Sequence, residues 1–562
     1  MIIAGLSGLY HDAACCLMID GEVVSAVQEG RLTGIKDDGR LPVAAWRWCL
    51  ERAGLGPQDV DVVAWYEDPA ARAERRAMMG LPALAEDPAR AIRERLGFEG
   101  PLRCFEHHAA HRAAAFLFSP FDAAAVATVD AVGGWETATF AAASGVDERS
   151  LASIRFPHSV GLLYSAVTSW LGFPVLSGEA RVMGLAGWGE PSLSGALRRL
   201  IADPRPDRFR LDLRYFDFGG PRLYSDALVS LLGPPRSPGG PLTDHHRAVA
   251  ASLQALLESW LLEAAGWLRA RSGLDALCLG GGVALNCAAN GRLLRDGPFP
   301  RIWVQPAAGD AGSCLGAAAL AWVERTGRRP APLEHMYLGP GCDGAIAGET
   351  AAGAEDFSGR EAALLDEVVE RLAAGEVLGW ARGRMEFGPR ALGARSILAD
   401  PRRPDMKDRL NRQIKRREGF RPFAPCVLEE DAAALFGCAV PSPYMLFTFP
   451  VLSDELPAIT HADGSARVQT VGDRHDPGLA ALLRAWRART GCPALLNTSL
   501  NVKGAPIACT ASDALMAAAD AGLDALVLGD HLVAALPGAW PALVRAWRPA
   551  RADALHRDLY TF

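Results

Sequence analysis

Residues 106–137, EHHAAHRAAAFLFSPFDAAAVATVDAVGGWET, join a histidine-bearing run to an apolar run that ends in an acidic turn. His107 and His111 lie four residues apart among strong helix formers, so on a helix both imidazoles project from one face. The apolar run ends at Asp130, and a Gly-Gly turn follows. Two imidazoles and a carboxylate form a ligand set that suits iron, zinc or manganese. Two His four residues apart can also simply cap or pack a helix, and both interpretations stay open here.

The N-terminal residues 2–28 show the same pattern of apolar run, polar break and apolar run. The break contains His11 and Asp12, as the later break contains Asp130. Two such units form an imprecise internal repeat, which indicates two similar lobes facing a cleft. Backbone N–H groups and a carboxylate at such breaks can bind phosphates and their metal. Two unrelated hairpins with solvated turns are the alternative.

Length and composition indicate a globular chain without membrane or secretion signals. At 562 residues the chain is too long for one hydrophobic core, so we expect two or three domains. No charge-free apolar span reaches about 18 residues, and no basic region precedes the first apolar run, which argues against a membrane helix and a signal peptide. The twelve cysteines include no CxxC pair, which argues against a disulfide framework. We expect a cytoplasmic protein.

Two later segments carry residues that suit the same cleft. An apolar run enters the glycine triplet 280–282, where backbone can approach a nucleotide closely. Asp310 opens an Ala-rich helical run and is a candidate second carboxylate for the metal. A plain helix-capping aspartate is the alternative for Asp310. Before these two segments, the pattern predicts a long helix from 244 to 270 with Gly273 as its stop.

The character of the chain changes at residues 324–360, which turn to Gly, Pro, Arg and Glu, and we place the domain boundary there. Beyond it, residues 382–421 contain thirteen Arg or Lys and five Asp or Glu. This density indicates an anionic ligand: triphosphate, a small acyl phosphate or nucleic acid. The tight turn that carries Arg390 favours a small phosphate pocket, whereas a nucleic-acid surface more often interleaves Lys with aromatics. A solvated basic face is the remaining interpretation.

The chain resembles the O-carbamoyltransferase family that includes the nodulation-factor, cephalosporin and tobramycin carbamoyltransferases. The resemblance covers nearly the whole chain, and its strength comes from the order and completeness of the motifs. These motifs are HDAA at 11–14, HHxAH at 107–111, VDxxGxxET at 129–137, EARVMGLA at 179–186, GGGVALN at 280–286, GDAGSCLGAA from 309, GRMEFGPRALGARSIL at 383–398, REGFRPFAP at 417–425 and NTSLN at 497–501. One departure is AVGGWET after Asp130, where many relatives have a shorter Gly-Glu sequence.

The resemblance implies an α/β protein in two parts. The first, 1–345, is expected to be an actin-like, two-lobed domain of the Kae1 branch, and the second, 360–562, a YrdC-like α/β domain. The second part is expected to convert carbamoyl phosphate and ATP to carbamoyl-adenylate. The first is expected to pass the carbamoyl group to a hydroxyl of a small, antibiotic-type natural product. The implied cofactors are Fe²⁺, or another divalent transition metal, and Mg²⁺ with ATP.

The resemblance also implies site residues. The expected metal ligands are His107, His111, Asp130 and Asp310. The expected adenylate-binding residues are Lys36, Asp130 and Gly282. The expected carbamoyl phosphate and ATP-binding residues are Arg390, Lys415, Arg421, Arg467, Asn497 and Ser499.

The residues themselves suggest how the acceptor is activated. The acceptor alcohol needs a base near neutrality, for which His11 is our candidate, with Asp12 orienting it or the substrate. A structural turn histidine is the plainer interpretation of His11. The resemblance implies that Lys36 is the basic residue beside the nucleotide, and we group it with these catalytic residues.

Two other function classes fit parts of the pattern. A tRNA threonylcarbamoyl-type modification enzyme would use both folds, but the overall acidity of the chain favours a small acceptor and no nucleic acid. A non-catalytic ATP-binding switch of the actin type would have no need of the Arg-rich second part. The segments 67–100, interpreted as a surface helical insertion, and 190–242, interpreted as a variable cap, are expected to choose the acceptor.

Overall fold

The structure is a computed structural model, and the residues it describes are 1–82, 86–342 and 354–534. The described chain divides into two compact units. Of the described residues, the first unit contains Met1–Glu29 and Asp38–Leu333, and the second contains Gly30–Asp37 and the described residues from Glu334 to Ala534. The predicted domains, 1–345 and 360–562, each end at a residue outside the described ranges, so these limits stay a prediction. Among the described helices, none is long and apolar enough to cross a membrane.

The strands up to Leu333 are mostly short and buried, and a hairpin or a helix connects most of them in sequence. They are β1 (Ile2–Ser7), β2 (Ala14–Ile19), β3 (Glu22–Gln28), β4 (Val62–Trp65), β5 (Leu102–Cys104), β6 (Ala123–Gly133), β7 (Glu136–Ser144), β8 (Asp147–Arg155), β9 (Ile201–Asp203), β10 (Arg210–Leu211), β11 (Phe216–Asp217), β12 (Leu223–Tyr224), β13 (Ala276–Gly280) and β14 (Arg301–Val304).

The helices of the same part of the chain range from single turns to one of eight turns. They are α1 (Glu29–Thr33), α2 (Val43–Ala53), α3 (Pro69–Met78), α4 (Pro88–Ala91), α5 (His107–Phe116), α6 (Val160–Trp170), α7 (Glu179–Ala186), α8 (Ser194–Arg198), α9 (Asp226–Leu232), α10 (Asp244–Ser272), α11 (Cys287–Asp296) and α12 (Asp310–Thr326). The long helix α10 ends at Gly273, which has a left-handed φ of 71°, because glycine reaches that conformation without steric cost.

Two five-stranded sheets in the first unit have equivalent strand orders, β3-β2-β1-β4-β5 and β14-β13-β6-β7-β8. In each sheet the first three strands in sequence pair antiparallel, and two later strands add in parallel beside the first of them. β6 therefore corresponds to β1, and β13 to β4. This repeat confirms the predicted α/β class with an actin-like pair of lobes.

Helix α12 connects the two lobes at close range. A Cβ on Gly5 of β1 would lie 1.9 Å from the carbonyl oxygen of Cys314 in α12. A Cβ on Gly316 of α12 would lie 1.8 Å from the carbonyl oxygen of Ala110 in α5. Glycine at both positions lets α12 touch the backbone of β1 and of α5, and α5 packs in turn against β6 and β13. The N-terminus of α12 is thereby fixed beside the histidine helix.

The two segments interpreted as insertions differ in how well the prediction describes them. Residues 190–242 form the ribbons β9–β10 and β11–β12 together with α8 and α9. Residues 67–100 contain α3 and α4, but α3 buries three arginines, Arg72, Arg75 and Arg76. The prediction of a surface insertion is therefore wrong for this face of α3. An arginine-rich helix is predicted from sequence to be solvent-exposed. The backbone carbonyls and aromatic rings that bury its arginines come from other parts of the chain, and the local sequence does not indicate them.

The second unit is a mixed α/β layer, as the predicted YrdC-like class requires. Its described strands are β15 (Ala354–Asp356), β16 (Leu378–Ala381), β17 (Arg395–Ala399), β18 (Ala424–Leu428), β19 (Thr448–Pro450), β20 (Ser465–Arg467), β21 (Gln469–Val471), β22 (Ala494–Ser499), β23 (Ala525–Leu528) and β24 (His531–Ala534). Its described helices are α13 (Glu361–Ala373), α14 (Met406–Arg409), α15 (Glu429–Phe436), α16 (Pro477–Thr490) and α17 (Ala511–Ala521).

Eight of these strands form one sheet in the order β15-β24-β23-β16-β17-β22-β18-β21, and β19 pairs with β20 in a separate ribbon. The central strand β22 pairs antiparallel with both β17 and β18. Asn497 therefore lies opposite Leu398 on one side and Ala424 on the other. This register places the NTSLN motif next to the end of the Arg-rich GPRALGAR segment.

Candidate active site

Four side chains from three elements of the first unit converge: His107, His111, Asp130 and Asp310. One ligand atom from each lies within 4.8 Å of all the others. Both histidines project from α5, and Asp310 is the first residue of α12. Asp130 lies in β6 where the pairing with β7 shifts between Val129 and Gly133. Such an irregularity re-aims a strand side chain.

The chemistry of these four residues fits a divalent transition metal. The shortest contact, from His111 Nε2 to Asp130 Oδ2, is 3.0 Å, yet neither atom makes a hydrogen bond. The same is true of both ring nitrogens of His107, which is 3% exposed. Buried polar atoms without hydrogen bonds are costly, and lone pairs aimed at a shared cation would explain them. Two imidazoles and two carboxylates form a set suited to iron, zinc or manganese, and the metal assignment stays a prediction.

The electrostatics of the cluster favour a positive charge at its centre. Burial alone would lower the pKa of His111, but Asp130 and Asp310 outweigh it and raise that pKa to about 9. Burial would raise the pKa of Asp130, whereas His107 and His111 hold it well below its usual value. Burial likewise acts to raise the pKa of Asp310, whereas His11 and His107 lower it below its usual value. Two ionised carboxylates attract a proton or a metal ion to the same place.

A serine orients one of the histidines. Ser313, one helical turn after Asp310 in α12, has its Oγ 3.1 Å from Nδ1 of His111. A partner on Nδ1 fixes the ring and leaves Nε2 facing the cluster. The sequence analysis missed this residue, although the spacing from Asp310 to Ser313 on a helix could have indicated it.

The predicted base adjoins the cluster. His11 Nε2 lies 3.4 Å from Asp310 Oδ2, and His11 Nδ1 lies 3.3 Å from Asp12 Oδ2. Burial acts to lower the pKa of His11, but Asp310, Asp12 and Asp130 raise it to about 9. With this pKa the imidazole is protonated at neutral pH. A further positive charge in the cluster would lower the pKa and let Nε2 accept a proton.

Gly282 comes close to the cluster, as expected of an adenylate-binding loop. A Cβ at this position would lie 3.0 Å from Asp130 Oδ1. The preceding Gly281 has a φ of 83°, and a Cβ there would lie 2.4 Å from the carbonyl oxygen of Val129. Only glycine lets this turn approach the end of β6 so closely. The adenylate-binding assignment stays a prediction.

Lys36 has a different setting from the other catalytic candidates. It belongs to the segment Gly30–Asp37, which is part of the second unit, whereas His11 and the four-residue cluster are in the first. Its side chain is 45% exposed and lies 3.5 Å from Asp37. The nucleotide-binding and catalytic roles of Lys36 stay predictions.

In the second unit, cations accumulate around Lys415. Its Nζ is bonded to the carbonyl oxygen of Ser499, and lies 3.3 Å from Ser499 Oγ and 2.9 Å from Asn501 Oδ1. Burial, with Arg417 and Arg421 nearby, holds the pKa of Lys415 well below its usual value. The pKa of Arg417 is likewise lowered by burial, Arg421 and Arg467. We call Lys415, Arg417, Arg421 and Arg467 the cationic cluster.

Arg390 lies on a loop whose backbone is held by side chains. The carboxylate Oε1 of Glu386 accepts hydrogen bonds from the backbone N–H groups of residues 392, 394 and 395, at 2.7, 2.7 and 3.2 Å. Gln469 Nε2 and Tyr337 Oη donate to the carbonyl oxygen of Leu392. Glu386, Gln469 and Tyr337 were absent from the predicted site, because their bonds to this loop form only in the fold.

Asn497, a predicted ligand-binding residue, takes part in the same support. Its Nδ2 donates to Gln469 Oε1 at 2.7 Å and to the carbonyl oxygen of Ala391 at 3.5 Å. The buried Oδ1 makes no hydrogen bond in the described structure. Asn497 thus holds the Arg390 loop through its amide nitrogen and has one acceptor left for a ligand.

Comparisons with known proteins show the family of the chain. Two family models match: Carbamoyltransferase N-terminus, over residues 2–92 and 88–319, and Carbamoyltransferase C-terminus, over residues 369–535. The uncharacterized protein sll1178 of Synechocystis sp. is 40% identical over 95% of this chain and 96% of its own. Nodulation protein NolNO of Sinorhizobium fredii is 38% identical over 96% of this chain and 82% of its own.

A solved structure, HypF of T. kodakarensis, matches 58% of this chain and 48% of its own, with 15% identity and a TM-score of 0.32. That score is too low to add to the strand order described above. The sequence matches, in contrast, extend over both units. The chain belongs to the carbamoyltransferase family, and the predicted enzyme class is confirmed.

Proposed function

We propose that this carbamoyltransferase is ATP-dependent and modifies a hydroxyl of a small natural product. In the first half-reaction, carbamoyl phosphate, ATP and water give carbamoyl-adenylate, phosphate and pyrophosphate. In the second, the acceptor oxygen attacks the carbamoyl carbon and AMP leaves. The observation that carries the proposal is the cationic cluster, in which Lys415 is buried and the three arginines are half-buried, because such a concentration of positive charge favours a polyanionic substrate.

The first half-reaction suits the second unit. Lys415 is buried beside the half-buried Arg417, Arg421 and Arg467. The mutual repulsion of these charges destabilises the ligand-free state. Phosphate oxygens would replace that repulsion with charge-assisted hydrogen bonds. The same donors would stabilise the charge that develops as pyrophosphate leaves. Arg390, on its side-chain-supported loop, is proposed to bind the same phosphates.

The second half-reaction suits the first unit. The carbamoyl carbon is a poor electrophile because its nitrogen donates into the carbonyl, so it needs a good leaving group. A divalent cation held by His107, His111, Asp130 and Asp310 would neutralise charge on the oxygens of the reacting group. His11 Nε2 would take the proton of the acceptor hydroxyl. As the new C–O bond forms, the bond from the carbamoyl carbon to the phosphate oxygen breaks, and AMP keeps that electron pair.

The test separates the two half-reactions. Pyrophosphate release from ATP is measured with and without carbamoyl phosphate, and mass spectrometry follows carbamoylation of a panel of hydroxylated metabolites. Arg390→Ala should abolish pyrophosphate release, whereas His111→Ala should leave much of it and stop transfer. The control is Arg412→Ala, in the same basic segment, whose side chain is 74% exposed and pairs with Asp408; it should retain both activities. Two results would contradict the proposal: pyrophosphate release that does not depend on added carbamoyl phosphate, or equal loss of both activities in both variants.

A further inference from the structure

Helix α3 places an unusual charge group inside the first unit. Arg72, Arg75 and Arg76 are 4%, 3% and 6% exposed. The carboxylate paired with them is that of Glu67, whose Oε1 lies 2.7 Å from Arg72 NH1. Among the described residues, no ion pair joins a carboxylate to Arg75. A buried guanidinium without a counter-charge is strongly unfavourable.

One nitrogen of the Arg75 guanidinium lacks a hydrogen-bond acceptor among the described residues. Its Nε donates to the carbonyl oxygen of Gly134 at 2.6 Å, and its guanidinium carbon lies 5.8 Å from the centre of the Phe156 ring. Its NH1 is buried and makes no hydrogen bond in the described structure. Leaving a buried charged donor unsatisfied costs more than a typical hydrogen bond contributes. A ligand oxygen would remove that cost.

The helix touches both polar breaks that frame the candidate active site. Arg75 contacts Gly134, in the break that follows Asp130. Arg72 NH2 donates to the carbonyl oxygen of Leu9 at 3.0 Å, and its guanidinium carbon lies 4.8 Å from the centre of the Tyr10 ring. The rings of Tyr10 and His11 are 4.5 Å apart. Helix α3, which carries the unsatisfied donor, thus contacts the polar break that contains the predicted base.

We propose that Arg75, beside Arg72, is an oxyanion-binding residue of the first unit that takes a phosphate or carboxylate group. Burial and the charges of Arg72 and Arg76 lower the pKa of Arg75, and Tyr10 and Glu67 offset only part of this effect. An oxyanion would oppose these effects. Two ligands could supply it: the phosphate of the adenylate, or an acid group on the acceptor. The subsite rests on the proposed function only for naming these two sources.

Calorimetric binding to the full-length protein tests the subsite without turnover. AMP and adenosine are titrated into the wild type, Arg75→Gln and Arg90→Gln, and inorganic phosphate and acetate are then titrated into each protein saturated with AMP. Arg90 is the matched control, since its exposed side chain pairs with Glu94 nearby in sequence. Because no carbamoyl transfer is measured, failure of this test is distinct from failure of the proposed function.

Two results support the subsite and identify its source. If it binds the adenylate phosphate, Arg75→Gln weakens AMP binding at least tenfold and leaves adenosine binding unchanged. If it binds an acid group of the acceptor, Arg75→Gln leaves AMP binding unchanged and removes one phosphate or acetate equivalent from the AMP-saturated protein.

Other results overturn it. Equal binding of all four probes by the wild type and Arg75→Gln means that Arg75 only holds the Gly134 turn, and equal losses in Arg90→Gln mean a general charge effect. If Arg75→Gln does not fold, Arg75→Lys is used, which keeps the charge and loses the planar fork. Unchanged anion binding in Arg75→Lys would then be the contradicting result.

Discussion

Nε2 of His111 lies 3.0 Å from Oδ2 of Asp130, but the two atoms make no hydrogen bond. One ligand atom of each of these two residues lies within 4.8 Å of a ligand atom of His107 and of Asp310. Four such groups without hydrogen bonds to one another are the arrangement expected of a metal site. This relationship connects a helix and a strand that are adjacent in sequence to a helix that begins about 180 residues after Asp130, and the following predictions depend on it.

Asp310→Asn should weaken the binding of Fe²⁺ or Zn²⁺ at least tenfold, because the amide keeps the shape of the side chain and loses its charge. Metal titration calorimetry, with metal content as a second measure, checks this. Asp244→Asn is the matched control, because Asp244 is also the first residue of a long helix but its side chain is 99% exposed. If both variants behave alike, Asp310 acts only on its helix terminus.

Ser313→Ala should weaken metal affinity by about 10- to 100-fold, the usual effect of removing a partner that orients a metal-bound histidine. The variant leaves all four ligands in place, so its effect isolates the bond from Ser313 Oγ to His111 Nδ1. Ser230→Ala, which removes a hydroxyl bonded within its own helix, is the control. Unchanged affinity in Ser313→Ala would show that packing alone sets the ring of His111.

Glu386→Gln should loosen the Arg390 loop, because a neutral amide oxygen accepts the three backbone N–H bonds more weakly than a carboxylate does. We expect a loss of about 1–3 kcal/mol in the free energy of unfolding by denaturant. Pyrophosphate release should show a raised KM for carbamoyl phosphate. Glu370→Gln, on an exposed pair with Arg489, should change neither. A stability loss with an unchanged KM would separate Glu386 from substrate binding.

Gly316→Ala should destabilise the first unit by about 1–3 kcal/mol or more, the cost of overpacking. The new Cβ would collide with the carbonyl oxygen of Ala110 and push α12 away from α5. Since these helices carry Asp310 and the two histidines, metal affinity should fall as well. Gly266→Ala, in α10 with no atom near its Cβ position, should instead stabilise the protein by up to about 1 kcal/mol. Thermal unfolding with and without metal checks both variants.

Local periodicity explains what could be predicted. His107 and His111 project together because residues four apart share a helix face, and the structure shows α5 at these residues. The repeat of apolar run, polar break and apolar run predicted two similar lobes, and the equivalent strand orders of the two sheets confirm this repeat. Gly273 ends α10 as its place after the apolar pattern indicated. In each case neighbours along the chain provide the determining contacts.

Contacts between distant segments explain what could not be predicted. The burial of Arg75 depends on Gly134 and Phe156, both more than 50 residues away in sequence. The three backbone N–H groups that donate to Glu386 converge on one carboxylate oxygen only when the loop has folded. Lys36 lies in a short segment that joins the second unit, which the pattern of its neighbours did not indicate.

By itself the sequence determined the α/β class, the repeated sheets, the histidine pair and the family, because these follow from the spacing and order of residues. The tertiary structure decided that Asp310 and His11 meet that pair, that Ser313 orients it, and that Arg75 is buried beside the same breaks. The physical reason is that these side chains come together only because α12 touches the backbone of β1 at Gly5 and the backbone of α5 at Gly316. A glycine in a sequence does not reveal which distant carbonyl it will touch.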